Sequence, residues 1–191
     1  MQRVTENAIE DIVNRSVNHK NMNNSNDLNI NNKYKVLFVC LGNICRSPAA
    51  EELFRQRVAR EGLTDHFEID SAGTYGGHAG ELPDGRMRAA AFARGYRLTH
   101  RSRQVREEDF DRFDRLIVMD DSNYERVHRL APSREAALKI YRMREFFGPT
   151  DYTYVPDPYY EGHEGFELVL NLLEEACDNL LEDLRPQLMQ E

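Results

Sequence analysis

Two kinds of apolar pattern alternate along this chain. Val36-Leu37-Phe38-Val39 is an unbroken apolar block rich in β-branched and aromatic side chains, which predicts a buried strand from Lys35 to Cys40. After a short loop holding Gly42 and Asn43, apolar positions recur at helical spacing (Ala49, Ala50, Leu53, Phe54 and Val58). This predicts a helix from Ser47 to about Gly62, with Ser47 as N-cap, Pro48 at the first helical position and Gly62 as the stop. Phe67 to Ser71 predicts a second strand, and Asp84 caps a helix to about Arg94 that turns Met87, Ala90, Ala91 and Phe92 inward before Gly95. Arg115 to Met119 predicts a third strand, Asp120-Asp121-Ser122 opens a helix to about Leu130, and Leu138 to Tyr141 predicts a fourth strand. A loop with three prolines covers Phe146 to Glu161. The last helix, Phe166 to Leu184, buries Leu168, Val169, Leu172, Leu173, Ala176, Leu180 and Leu181. Strands alternating with helices predict an α/β fold, a parallel sheet covered on both faces.

The pattern fails in two places. Residues 1–33 hold ten of the fourteen asparagines, and Arg3, Arg15, Lys20 and Lys33 are matched by Glu6, Glu10, Asp11 and Asp27. Such a stretch cannot bury enough apolar surface to order itself, so it is expected to be a disordered leader ahead of a domain over residues 34–191. The charges from Arg101 to Asp114, around Phe110 and Phe113, read as a solvated face.

Composition narrows the function classes. A chain of 191 residues, 40% hydrophobic and 30% charged, fits one soluble globular domain. The net charge of −8 argues against nucleic acid or an anionic membrane as partner. No apolar run approaches a membrane span, and the N-terminus lacks a secretion-signal pattern. Three cysteines argue against a disulfide scaffold and for the cytoplasm.

The chemistry concentrates after the first strand. Ligands of such sheets sit at the carboxyl ends of strands, and Cys40 lies at one, with Arg46 six positions later. A Gly-containing loop running into a helix N-terminus points backbone N–H groups inward and adds the positive end of the helix dipole. Leu41, Gly42, Asn43, Ile44, Cys45 and Arg46 would therefore cradle an anion. Cys40 alone reads as a small buried hydrophobe. Beside inward N–H groups and a guanidinium it reads as a thiolate nucleophile with an oxyanion clamp, the requirement for phosphoryl transfer to sulfur. Asn43 tolerates the left-handed backbone that such a loop demands. Ser47 caps the helix and can also donate to the Cys40 sulfur. Asp157, between Pro156 and Pro158, is the candidate proton donor, and Tyr159 and Tyr160 after it could wall a pocket for a flat ring. His19, His66, His128 and His163 have no paired spacing with cysteines, so no metal site is expected, and phosphoryl transfer to sulfur needs no organic cofactor either.

Cys-Leu-Gly-Asn-Ile-Cys-Arg-Ser-Pro, residues 40–48, resembles the phosphate-binding loop of the low-molecular-weight protein tyrosine phosphatases. Asp-Pro-Tyr-Tyr at 157–160 is similar to the same family's general-acid loop, and the resemblance spans roughly Tyr34 to Glu182. It implies a four-stranded doubly wound sheet and hydrolysis of phosphotyrosine, and of aryl phosphates, through a phosphocysteine. It implies Cys40 as nucleophile, Arg46 as phosphate clamp and Asp157 as acid then base, with phosphotyrosine-containing proteins as substrates. In the family the Asn matching Asn43 is held by a buried His, and Thr99-His100 followed by Arg103-Gln104 resembles that segment. Some members carry a Trp in the loop after the second strand. This chain has none; Gly76, Gly77 and His78 lie nearby instead, with Tyr75 expected to fill the space and Ile44 expected elsewhere in the pocket. Cys45 either packs or forms a reversible disulfide with Cys40, whereas Cys177 reads as inert core.

Three alternatives share the loop. A thiol-dependent arsenate reductase needs further cysteines as a relay, and the one outside the loop, Cys177, falls within a helix. A protein-arginine phosphatase resembles the motif with Thr where this chain has Ile44. A phosphotyrosine-binding module would not need Cys40, Arg46 and Asp157 intact. No motif encodes the particular protein substrate or the oligomeric state.

Overall fold

The computed structural model describes residues 33–188. The leader expected over residues 1–33 lies outside them apart from Lys33, so they carry no account of it. In chain order the elements are β1 (Tyr34–Cys40), α1 (Arg46–Arg60), β2 (Phe67–Gly73), α2 (Gly85–Ala93), α3 (Asp109–Arg112), β3 (Arg115–Val118), α4 (Asp121–His128), α5 (Arg134–Ala137), β4 (Ile140–Arg142) and α6 (His163–Leu188). Short 3-10 turns cover Thr64–His66, Met143–Phe146 and Pro158–Tyr160.

The four strands form one parallel sheet in the order β2-β1-β3-β4. The order reverses direction between β1 and β3. The loops leaving these two strands therefore diverge and open a crevice at their carboxyl ends. Alternation along β1 divides the core between the two faces. Val36, Phe38 and Cys40 face a layer with Leu53, Phe54, Val169 and Leu173 from α1 and α6. Leu37 and Val39 face a second layer with Phe110, Phe113, Leu116 and Val127. Val36 to Val39 are all 0% exposed, as an apolar block buried on both sides demands.

Helix α1 is pinned to the sheet by aromatic edges. Phe54 meets Phe38 at 5.8 Å and 69°, and Phe67 at 5.5 Å and 84°. Each edge-to-face pair adds about 0.5–1.5 kcal/mol beyond the area it buries. Because the loop 41–45 is strung between β1 and α1, this packing fixes both of its ends. Among the described residues no helix is long and apolar enough to cross a membrane.

Several sequence expectations are corrected. Helix α1 starts one residue early: Cys45 holds the N-cap position without a side-chain bond, so Ser47 is not the cap and is free to bond elsewhere. Phe92 is 63% exposed instead of inward, one position past the Met87, Ala90 and Ala91 face of α2. On α6, Leu170 is buried where Leu168 is only half-buried. Strand β4 begins at Ile140, and Leu138 is 42% exposed. The charged stretch 101–114 is not wholly solvated, because Asp109 is 6% exposed and bonds Arg103. Helices α3 and α5 had no sequence signal beyond four residues each, too few for a helical period.

Candidate active site

Cys40 ends β1 and is 2% exposed. The loop after it turns back on itself, so Asn43 N–H donates to Cys40 Sγ at 3.3 Å. Ser47 Oγ lies 3.1 Å from the same sulfur and 3.2 Å from Ala72 O. One hydroxyl proton serves both, and an ionised sulfur is the stronger acceptor. Close packing makes the turn possible. A Cβ on Gly73 would sit 2.7 Å from Leu41 O and 3.0 Å from Asn43 N, so the strand beside the loop can carry no side chain there.

Asn43 holds the loop in shape. Its φ is 56°, the left-handed conformation expected of it. Its amide is fully used: Nδ2 donates to Ser47 Oγ and Ser71 Oγ, each at 2.9 Å, while Oδ1 accepts from Arg103 N at 2.9 Å and from His100 Nε2 at 3.0 Å. Charged side chains stand behind it. His100 Nδ1 lies 3.0 Å from Glu51 Oε2 and 3.6 Å from Asp70 Oδ1, Ser71 Oγ donates to Glu51 Oε2 at 2.6 Å, and Arg103 bridges Asp70 and Asp109. Burial pushes the Glu51 carboxyl up, but bonds from His100, Ser71 and Arg55 with the His100 charge outweigh it and hold it below the usual range. Among the described residues Glu51, Asp70 and His100 are the group whose donor atoms converge closely enough for a metal ion. Their charges are already matched by one another and by Arg55 and Arg103.

Arg46 opens α1, 2% exposed, and reaches across the crevice to two other loops. Nη1 donates to Asp120 Oδ2 at 2.6 Å and to Val155 O at 3.1 Å, and Nη2 donates to Asp157 Oδ2 at 2.6 Å. Burial opposes the Arg46 charge, yet Cys40, Asp157 and Asp120 together outweigh it and raise its pKa. Asp120 is itself fixed as the N-cap of α4, accepting from Asn123 N at 2.7 Å. Asp157 caps the Pro158–Tyr160 turn by accepting from Tyr159 N at 3.1 Å.

Cys40, Arg46 and Asp157 share one pocket of ≈ 260 Å³, which is also lined by Leu41, Gly42, Ile44, Cys45, Tyr75, His78, Tyr159 and Tyr160. The residues expected from sequence are therefore gathered here or, for Ser47, Asn43 and His100, directly behind. Tyr159 is 38% exposed, and Tyr160, at 93%, lies on the rim. Burial pushes the Cys45 thiol well up, with Asp84, Cys40 and Asp157 adding to it and Arg46 opposing, so Cys45 stays protonated. Cys177 is 1% exposed, 3.7 Å from Ala50 O between α1 and α6, and its thiol is pushed up by burial. Sequence reading missed the site positions of Asp120, Ser71 and Glu51. Glu51 had a signal, being a charge among Ala50, Leu53 and Phe54 one turn after Ser47. Asp120 read only as a helix opener, because its partner is 74 positions away.

Residues 35–190 match the family described as low molecular weight phosphotyrosine protein phosphatase. A low molecular weight protein-tyrosine-phosphatase of Streptomyces coelicolor is 43% identical over 81% of this chain and 95% of its own length. The human low molecular weight phosphotyrosine protein phosphatase is 35% identical over 77% of this chain and 93% of its own. A crystal structure of a protein tyrosine phosphatase from Entamoeba histolytica superposes with a TM-score of 0.79 at 42% identity, covering 81% of this chain and 99% of that one.

Proposed function

This chain belongs to the low molecular weight phosphotyrosine protein phosphatases, and from that premise we propose which of its residues carry the reaction on phosphotyrosine-containing proteins. It is a cysteine-dependent protein tyrosine phosphatase. The Cys40 thiolate attacks phosphorus in line, so that an Sγ–P bond forms as the P–O bond to the aryl group breaks. Asp157 gives its proton to the departing oxygen, a contribution of about 10²–10⁴-fold in rate. Arg46 stays tethered to Asp120 through Nη1 and exchanges Asp157 for phosphate oxygens through Nη2, while the loop N–H groups take the equatorial charge. Water then attacks the phosphocysteine and gives a proton back to Asp157. The sulfur leaves as a thiolate that the Ser47 hydroxyl stabilises.

The observation that carries this reading is the Cys40 sulfur itself, with Asn43 N–H and the Ser47 hydroxyl aimed at it in a pocket that also holds Arg46 and Asp157. Ile44, Tyr75 and Tyr159 offer apolar walls for a flat ring, which supports an aryl ester over a guanidinium phosphate. Three unpaired thiols support the cytoplasm as the compartment. Cys40→Ser should abolish turnover of a phosphotyrosyl peptide while inorganic phosphate still binds, because the loop donors remain. Substantial turnover by that variant rejects the assignment.

A further inference from the structure

Arg86 lies in the first turn of α2, just outside the residues that line the pocket. Its guanidinium is held in two ways. Asp84 grips it edge-on: Arg86 Nε donates to Asp84 Oδ1 at 3.0 Å and Nη2 to Oδ2 at 2.8 Å. Its face covers two rings, with Cζ 5.3 Å from the centre of Tyr159 and 4.9 Å from that of Phe166. Phe166 is 1% exposed in the α6 core, so the guanidinium is braced on a rigid wall as it packs against the half-exposed Tyr159.

Both ends of this arrangement run into the reaction site. Asp84 N–H donates to Ile44 O at 2.7 Å, which ties the start of α2 to the phosphate loop. Tyr159 N–H donates to Asp157 Oδ1 at 3.1 Å, which ties the stacked turn to the acid. Ile44, Asp84, Arg86, Tyr159 and Asp157 thus form a path between loop and acid that does not pass through Arg46.

We propose that Arg86 is a positioning residue for the general acid: forked to Asp84 and stacked on Tyr159, it fixes the Pro158–Tyr160 turn against the phosphate loop so that Asp157 faces the leaving oxygen. The proposal rests on the reading of Asp157 as the acid. Its physical need is clear from the Arg46–Asp157 ion pair. A phosphate dianion takes over the Arg46 guanidinium, and the Tyr159 N–H and the stack then remain to aim the carboxyl. Pro156 and Pro158 limit the backbone but leave the tilt of the turn to side-chain packing. The role depends on a flat fork and not on charge, so lysine is no substitute. The plain alternative is a surface ion pair that only caps α2.

The test is kcat/KM, which reports the step that expels the aryl oxide and not the later hydrolysis of the phosphocysteine, across a series of aryl phosphates of falling leaving-group quality, for the wild type, Arg86→Ala, Arg86→Lys, Asp157→Ala and the Arg86→Ala/Asp157→Ala double variant. Arg86→Ala should lose about tenfold on the poorest leaving groups, part of the general-acid contribution, and less than about twofold on the best. Arg86→Lys should behave as Arg86→Ala. In the Asp157→Ala background Arg86→Ala should cost nothing more, since there is no acid left to aim. A loss that is equal across the series, or additive with Asp157→Ala, overturns the proposal. Should Arg86→Ala fail to fold, Arg86→Lys carries both comparisons. A leaving-group-dependent Asp157→Ala beside a flat Arg86 profile overturns this role alone, whereas a flat Asp157→Ala profile overturns the acid assignment and this role with it.

Discussion

Arg46 Nη2 and Asp157 Oδ2 lie 2.6 Å apart, so the residue proposed as phosphate clamp and the residue proposed as acid are joined directly across 111 positions of chain. Phosphate must compete with that carboxylate for the guanidinium. Asp157 is 40% exposed in its side chain, so the pair is screened and worth at most about 1 kcal/mol. Asp157→Ala is therefore expected to bind inorganic phosphate more tightly, by up to about fivefold, even as it slows turnover. Competitive inhibition by phosphate against an aryl phosphate reads this directly. Weaker phosphate binding in the variant would mean that Asp157 helps to hold the anion.

Asn43 combines a left-handed φ of 56° with four side-chain hydrogen bonds, two of them buried and two part-buried, and the two contributions can be separated. Asn43→Ala carries the left-handed cost of about 1–2 kcal/mol and leaves buried partners unpaired at about 1–3 kcal/mol. Asn43→Gly carries only the second. Chemical denaturation should rank the wild type above Asn43→Gly and Asn43→Gly above Asn43→Ala, with the two variants about 1 kcal/mol apart. Equal stability of the two variants would show that the loop relaxes out of its left-handed turn.

Glu51 connects the loop's support to pH. Its carboxyl is held below the ordinary 4.5, since bonds and charge from His100, with Ser71 and Arg55, overcome its burial. A depressed carboxylate contributes stability that is present above the unfolded value and is lost as pH falls through the folded one. Glu51→Gln should therefore destabilise the protein at neutral pH by about 1–3 kcal/mol. The penalty should shrink as pH falls below the ordinary 4.5 and through the lower folded value, as the wild-type carboxylate also takes up its proton. Urea unfolding of both proteins at neutral and acid pH measures it. A penalty constant with pH would place the role of Glu51 in its shape and not in its charge.

What the sequence made legible follows from how local each cause is. The buried block Val36–Val39 and the helical spacing of α1 and α6 are local patterns, and all three elements stand where those patterns predict within a few residues. The loop from Cys40 to Arg46 was legible because its donors and nucleophile are consecutive. Ser47 was misread as a cap because the helix starts at Arg46, which frees its hydroxyl for Cys40 and Ala72. Asp120, Glu51 and Arg86 were not legible as site residues. Each acts through a partner brought near only when the sheet closes: Arg46, His100 and Tyr159 respectively.

Cys45 bears on how this site meets oxidation. The surroundings that make Cys40 a nucleophile also make it the sulfur that peroxide attacks, since the thiolate is the reactive form. Cys45 lines the same pocket, but burial and the charges of Asp84 and Asp157 keep its own thiol protonated, so it is a poor first target. Peroxide should convert Cys40 to a sulfenic acid with loss of hydroxide from the peroxide. Cys45 sulfur can then displace the sulfenic hydroxyl, which departs with the Cys45 proton as water, and a Cys40–Cys45 disulfide forms before irreversible oxidation proceeds. Cys177 is walled off between α1 and α6 and should take no part. Mild peroxide is therefore expected to inactivate the enzyme reversibly, with peptide mapping finding a 40–45 link, full recovery under a dithiol, and protection by phosphate held in the loop. Cys45→Ser should be inactivated as fast and recover far less. If it recovers as completely as the wild type, Cys45 only fills space, and Cys40 relies on reductants from outside the protein.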